Sequence, residues 1–410
     1  MSAGRLRLLS RLAVRNVLRY RRRTAVVVLA VGVGLWAMLV YVAFTRGWEN
    51  GVVDSAVRTL TGHLQIHAPG YVSDPSVDYL MPVPDGRLLD ALRAPTVRAW
   101  ASRIRVPAVV QSERETAGVT LVGIDSAAER GLSFIAGAVT AGRDLDSPDA
   151  DGVLLGRALV DRLSTGLGKR VVLISEAADH QVAERGFRIV GIFDADRSAT
   201  EMTFVFTGRA TAARLLCVGA RVSEVAVQLR DPAGADAEVS RLRAAAPGLD
   251  VQPWTALEPI AEATVSLADM WIWIFYALMY VAMASGLVNT LLMAVLERTR
   301  EFGLLQALGM APGLLLRQVL IESLLVLLLG VGVGVTLGFA TVGLLRGGID
   351  FSAYAAGAEM WGMGKVIYPT LGPRDVASAV AVVMVLGALA SLYPAVRAAR
   401  RVPVEAITRG

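Results

Sequence analysis

The sequence predicts a membrane α-helical protein of four spans, both termini on the cytoplasmic side, with a large α+β domain between the first and second spans. Three observations lead there. Four stretches carry no charge: Thr24–Phe44, Met270–Leu296, Ser323–Leu345 and Val376–Val396. Each exceeds the roughly 18 apolar residues that read as a span. Short basic segments flank them: residues 1–23 hold eight Arg and no acid, and the tail after Val396 holds Arg397, Arg400, Arg401 and Arg409 against Glu405. Such segments stay cytoplasmic, and an even number of spans puts both ends on one side. The long remainder, Arg46–Asp269, has 23 basic and 29 acidic residues, a net of −6, and is large enough for one or two domains.

The chain therefore divides into a cytoplasmic interfacial helix (1–23), a first span (24–45), an outside α+β domain (46–268), a second span (269–296) and a short cytoplasmic helix (297–311). A third span (312–346), an outside loop (347–373), a fourth span (374–396) and a cytoplasmic tail (397–410) follow. The pI of about 9.6 needs no nucleic acid, because the excess charge is the flanking Arg, which suits anionic lipid. Cys217 is the single cysteine, so no internal disulfide forms. No small-x-small site follows the first span, which reads as a retained anchor.

In the first segment Arg7, Arg11, Arg15 and Arg19 fall four apart, beside a stripe of Leu9, Leu12, Ala13 and Val17. That suits a helix lying in the membrane interface; the plain alternative is a positive flank. In the domain, "GHLQIH", "RVVLIS", "FRIVGIF", "MTFVFT" and "EVAVQLR" read as strands. "RVPAVVQSERETAGVTLVGID" reads as two strands around a turn at Glu115–Gly118. "GRLLDALR", "RALVDRLS", "TGRATAARLL" and "PAGADAEVSRLRAAA" read as helices, the last with Pro232 in its first turn. "AGRDLDSPDADG" reads as a surface loop. Two subdomains are expected, one from about 46–110 with 220–265 and one inserted between.

The third span places Gly330, Gly334 and Gly338 on one face, a groove for close approach of another helix. Trp48, Trp271, Trp273 and Tyr393 stand where interfacial anchors belong. Glu322 lies a short way inside the third span, with Arg317 and Gln318 nearby; both a functional acid and a structural pairing fit.

No Gly-x4-Gly-Lys-Ser/Thr loop occurs, nor His-Glu-x-x-His, Cys-x-x-Cys or Gly-x-Ser-x-Gly. His63, Gln65 and His67 share a strand face but lack a third metal ligand, so a solvated or hydrogen-bonded face is expected. Asp146, Asp149 and Asp151 lack the rest of a calcium loop. The prediction is no metal, no cofactor and no catalytic residue in this chain.

That leaves "LERTREFGLLQALGM", Leu296–Met310, between the second and third spans. Phe302, Leu305 and Leu308 recur at helical spacing, and Glu297 can pair with Arg300 along one face. Gly309 and Pro312 end the pattern. A short amphipathic helix tied to two spans can enter a cleft on a cytoplasmic partner; otherwise it is a re-entry loop on lipid.

The stretch "NTLLMAVLERTREFGLLQALGMAPGLLLRQVLIESLLVLLLGVGVGVTLG" resembles the permease core of the MacB/FtsX/LolC–LolE superfamily of ABC transporters. The matches are Asn289, Glu297, Arg298, Arg300, Glu301, Gly303, Ala307, Gly309, Glu322 and the glycine face. The ending "YPAVRAARRVPVEAITRG" resembles the closing pattern of that family through Tyr393, Pro394, Ala395, Pro403, Glu405 and Ala406; Ile407–Thr408 departs from it. "GVLLGRALVDRLSTGLGKRVVLI" resembles its outside domain.

The resemblance implies a type VII permease in a bacterial inner membrane that is not itself an enzyme. It implies two copies of a separate ABC ATPase that binds ATP and Mg, a second permease, identical or paralogous, and a periplasmic carrier or adaptor. About 23 residues precede the first span, so the ATPase is expected on another chain. Glu297, Arg298, Arg300, Glu301, Phe302, Gly303, Leu305, Ala307, Leu308 and Gly309 would couple the ATPase to the spans. The large domain and "VQPWTALEP" favour the LolC/LolE type, which extracts lipoproteins and has an apolar cavity near the outer leaflet; Trp36, Leu39, Phe44, Trp271, Phe275 and Met279 are its candidates by depth. Regulation of a periplasmic partner such as a cell-wall hydrolase, and efflux of an amphiphile with an adaptor, are the alternatives.

Overall fold

A computed structural model describes residues 13, 15, 17–297, 301, 304, 306–308, 310–351 and 366–399. The chain forms two compact units. One comprises 1–50, 266–351 and 366–410, and the other 51–265 with 352–365.

Among the described residues, four helices are long and apolar enough to cross a membrane. They are Arg21–Ala56, Pro259–Glu297, Pro312–Leu344 and Pro373–Ala399. The first two outrun the apolar stretches at 24–45 and 269–296. A helix satisfies its own backbone, so polar residues such as Glu49, Asn50 and Asp54 continue it in water. It ends at Gly62, after the single π turn Val57–Thr61. Gly62 has φ +69°, and a Cβ there would lie 2.9 Å from the Val227 carbonyl oxygen, so only glycine makes this exit. Pro259 and Pro312 open their helices, where a missing N–H costs nothing. Of the helix expected over 1–23, Ala13 is buried and Arg15 and Arg19 are exposed, while Leu9, Arg7, Arg11 and Leu12 lie outside the described residues. So does the tail beyond 399.

The second unit is built on strands β1 (Leu64–His67), β2 (Met81–Pro82), β3 (Val97–Gln111), β4 (Thr116–Ile124), β5 (Val139–Gly142) and β6 (Gly152–Gly156). β7 (Arg170–Glu176), β8 (Val182–Phe193), β9 (Phe204–Gly208), β10 (Arg221–Val222), β11 (Glu224–Leu229) and β12 (Asp250–Pro253) follow. The large sheet runs β12-β1-β11-β3-β4-β9-β6-β8-β5, and β7 pairs with both β8 and β3. The path β3-β4-β9-β6-β8-β7 thus closes on itself. β3 belongs to both parts: its first half pairs with β11, and its second half with β4 and β7. Alternate residues of the ring, among them Val106, Ala108, Val110, Val119, Leu121, Leu173 and Val205, share one core. The opposite face carries Val122, Ile124, Phe193, Phe204 and Phe206, with Leu60 from the end of the first-span helix.

Three local readings change. The β3–β4 turn is Ser112–Glu115, ahead of the expected 115–118, because the Ser112 hydroxyl accepts the Glu115 and Arg114 amides at 3.0 and 3.2 Å. Pro232 sits in a 3-10 turn, Pro232–Gly234, before the helix Ala235–Ala245 rather than in its first turn. β1, paired with β11 and β12, is buried on both faces: Leu64 and Ile66 lie in the core, and the opposite, polar face is covered too. The His63 Nδ1 accepts the Leu229 amide at 3.1 Å, and the Gln65 amide reaches the Leu60 carbonyl at 3.4 Å. His63 is therefore hydrogen-bonded, not solvated.

Burial pushes the His63 pKa below its ordinary value, with Asp54 opposing. The ring is neutral in the fold, so its contribution to stability is full above about pH 6.5 and is lost as pH falls through the lower folded value. Amide exchange at Leu229, corrected for intrinsic rate, should lose protection as pH falls below about 6.5, and His63→Gln should flatten that dependence.

Candidate functional site

The four long helices pack in pairs around one core. The glycine face of the third lies against the first. A Cβ at Gly330 would stand 2.7 Å from the Val31 Cβ; at Gly334, 2.7 Å from the Gly32 carbonyl oxygen; at Gly338, 2.8 Å from the Leu39 Cδ1. Without side chains at these positions the helices approach closely, which matters in lipid, where burial of apolar surface drives little association. The Trp36 indole donates to the Thr341 hydroxyl at 2.9 Å across the same seam. Tyr41 of the first helix stacks on Phe275 of the second at 4.0 Å. The Tyr280 hydroxyl donates to the Leu386 carbonyl of the fourth at 3.2 Å.

The six apolar residues picked by depth are not gathered around one opening. Trp36 and Leu39 face the third helix, Phe275 faces Tyr41, and Phe44 meets Phe351 edge-on at 6.0 Å. Met279 packs on the bundle core, and Trp271 is 53% exposed.

At the end of the bundle from which the domain's chain leaves, one cation holds three carboxylates. Arg46 Nη1 stands 2.7 Å from Glu49 and 2.8 Å from Asp269, and its Nε stands 3.2 Å from Asp375. These acids come from the first, second and fourth helices. The Thr370 amide donates to the Ala43 carbonyl at 3.0 Å, and a Cβ on Gly47 would strike the Tyr368 carbonyl oxygen at 2.4 Å, so the chain entering the fourth helix lies on the first. Sequence reading missed this clasp; its one signal was the Arg46–Glu49 spacing just past an apolar run. Arg46→Ala strips the cation from three acids. It should destabilise the bundle by about 3 kcal/mol at most, less what solvent recovers at a partly exposed group. Arg46→Lys should recover part, since one ammonium cannot serve three directions. Thermal unfolding in detergent reads both.

At the other end, Val295, Leu315, Val319 and Ala395 form a buried cluster with Met310, Leu316 and Leu320 packed on it, so the second, third and fourth helices meet there. Between them, the Tyr20 hydroxyl donates to Glu301 at 3.4 Å. Leu304 and Leu308 are 51% and 85% exposed, and the Leu308 amide donates to the Leu304 carbonyl at 3.0 Å. Four apart, they share one face. Glu297 ends the second helix, and Ala307 is exposed. Arg298, Arg300, Phe302, Gly303, Leu305 and Gly309 lie outside the described residues. Glu322 is half-buried in the third helix.

Other candidate groups have local partners. Asp146 pairs with Arg143, and Asp149 and Asp151 pair with Arg214. Among the described residues no group of His, Cys, Asp or Glu is placed to hold a metal ion.

Comparison with known families decides the class. The MacB-like periplasmic core domain matches residues 24–245, and the FtsX-like permease C-terminal domain matches 273–403. The chain belongs to the MacB/FtsX/LolC superfamily of ABC transporter permeases. Among relatives of this superfamily, macrolide export ATP-binding/permease protein MacB 2 of Aeromonas hydrophila is 26% identical over 98% of this chain and 60% of its own length. The chain thus spans well under two thirds of that relative. The lipoprotein-releasing system transmembrane protein LolC of Neisseria meningitidis is 23% identical over 94% of this chain and 93% of its own. The periplasmic region of MacB from Actinobacillus actinomycetemcomitans superposes with a TM-score of 0.35 at 13% identity, covering 51% of this chain and 95% of that one.

Proposed function

We propose that this permease converts ATP hydrolysis by a separate cytoplasmic ATPase into movement of its periplasmic domain, and that the work extracts lipoproteins or lipids from the bacterial inner membrane. The observation that carries the reading is the segment 297–310. It joins the second and third helices beside a buried cluster, and it presents Leu304 and Leu308 outward. An exposed apolar pair on one face is suited to a partner's cleft. In the sequence, the helices Arg21–Ala56 and Pro259–Glu297 are the covalent links between the bundle and the domain, so force passed between them must travel along these segments.

The likeness to LolC, along nearly the full length of both chains, supports lipoprotein as cargo. The likeness to a macrolide export protein supports an amphiphilic small molecule as the second reading. Purifying the chain with its co-expressed ATPase and identifying by native mass spectrometry what co-purifies separates them. An acylated protein released on ATP addition is the expected result. An adaptor or a soluble enzyme, with no acylated cargo, would overturn extraction.

A further inference from the structure

At the point where the first-span helix ends inside the domain, a fully buried arginine stands between two fully buried glutamates. Arg103, Glu129 and Glu224 are each 0% exposed. The Arg103 Nε and Nη2 donate to the two oxygens of Glu129 at 2.7 and 2.8 Å, a bidentate pair. Its Nη1 donates to Glu224 at 3.3 Å and to the carbonyl of Leu60. The Ser133 hydroxyl donates to Glu129 at 2.6 Å, and Arg105 Nη1 lies 3.7 Å from the other Glu224 oxygen. Burial opposes the charge on Arg103, but Glu129 and Glu224 outweigh it and push its pKa up, so the group is a cation in the fold.

Leu60 leaves helical geometry where the helix ends (φ 171°, ψ −14°), so its carbonyl has no partner further along the helix. Arg103 supplies one, from β3, while Glu224 stands on β11 and Glu129 follows β4. One guanidinium thus fixes the helix end to two strands and the short helix Ser126–Glu129 at once. A second strap lies alongside: the Thr61 hydroxyl donates to Glu258 at 3.2 Å, and Glu258 precedes Pro259, where the second-span helix begins. Apolar packing at Leu60 alone would hold the helix in the core but leave it free to slide and turn. Buried ion pairs add little net stability over apolar replacements, so stability is a weak reason for this cluster, and fixed geometry is the stronger one.

Resting on the proposed function, we propose that Arg103 is a positioning residue: the joint that makes the domain sheet follow the first-span helix during the ATPase cycle. The test uses the full chain with its ATPase in nanodiscs. Nitroxides are placed on Cys217, the only cysteine and exposed, and on Leu344→Cys, at an exposed position of the bundle. Distances are compared without nucleotide and with ATP and vanadate. The unsubstituted chain should show a nucleotide-dependent shift. Arg103→Lys keeps the charge but cannot make the fork. It should leave ATP turnover within about twofold and cut the shift by at least half. Arg103→Met with Glu129→Leu and Glu224→Leu, which leaves no buried charge unpaired, should do the same and guards against a misfolded single variant. A full shift in either folded variant overturns the joint. No shift in the unsubstituted chain overturns the functional reading itself, and the joint with it.

Discussion

Gly334→Leu should yield a chain whose first and third helices no longer pack, seen as loss of the monodisperse species in detergent. The reason is a backbone contact. A Cβ at Gly334 would lie 2.7 Å from the Gly32 carbonyl oxygen and 2.8 Å from the Leu35 Cβ. Neither can retreat without moving its helix. Overpacking costs about 1–3 kcal/mol where side chains can adjust, and more where backbone blocks the way. The neighbours give a graded control. At Gly338 the nearest atom is the Leu39 Cδ1, the far end of a flexible side chain. Gly338→Ala should therefore cost less than Gly334→Ala in unfolding midpoint. Equal effects at the two positions would contradict the seam as described.

Leu308→Asp should abolish capture of the ATPase while leaving the membrane bundle intact. Leu308 is 85% exposed, so nothing in the chain's own packing depends on it. A charge there faces water in the free chain and must be desolvated on docking, which carries a penalty of several kcal/mol if it finds no partner. Leu304→Asp, on the same face and half-exposed, should weaken capture less. Co-purification of the tagged ATPase reads both. Retained binding with Leu308→Asp would move the contact away from this segment.

Much of the architecture was legible because lipid imposes simple rules. Uncharged runs marked the spans, and spacing by four put Gly330, Gly334 and Gly338 on the face that meets the first helix. In the domain, alternation found β1, β4, β7, β8, β9, β11 and the second half of β3, but not β5, β6 or β12, nor which strands would be covered on both sides. "GHLQIH" has the pattern of a half-exposed strand, but the polar face of β1 is buried too, where Gln65 meets the Leu60 carbonyl. The ends of the first two helices were illegible for a physical reason: apolarity stops where the lipid stops, whereas helical hydrogen bonding continues to Gly62. Arg103 and Arg46 escaped for another. A charge reads as solvent-facing until its partners are known. Those of Arg103 lie 26 and 121 residues away, and Asp375 lies 329 from Arg46. Local pattern carries no information at such separations.

The central claim is that hydrolysis in a partner moves the domain through this chain. Single-molecule energy transfer between dyes on Cys217 and Leu344→Cys, in nanodiscs with the ATPase, tests it most directly. The account predicts switching between two levels that appears with ATP, stops with vanadate and is absent with Leu308→Asp. A single unchanging level during measured ATP hydrolysis would contradict it.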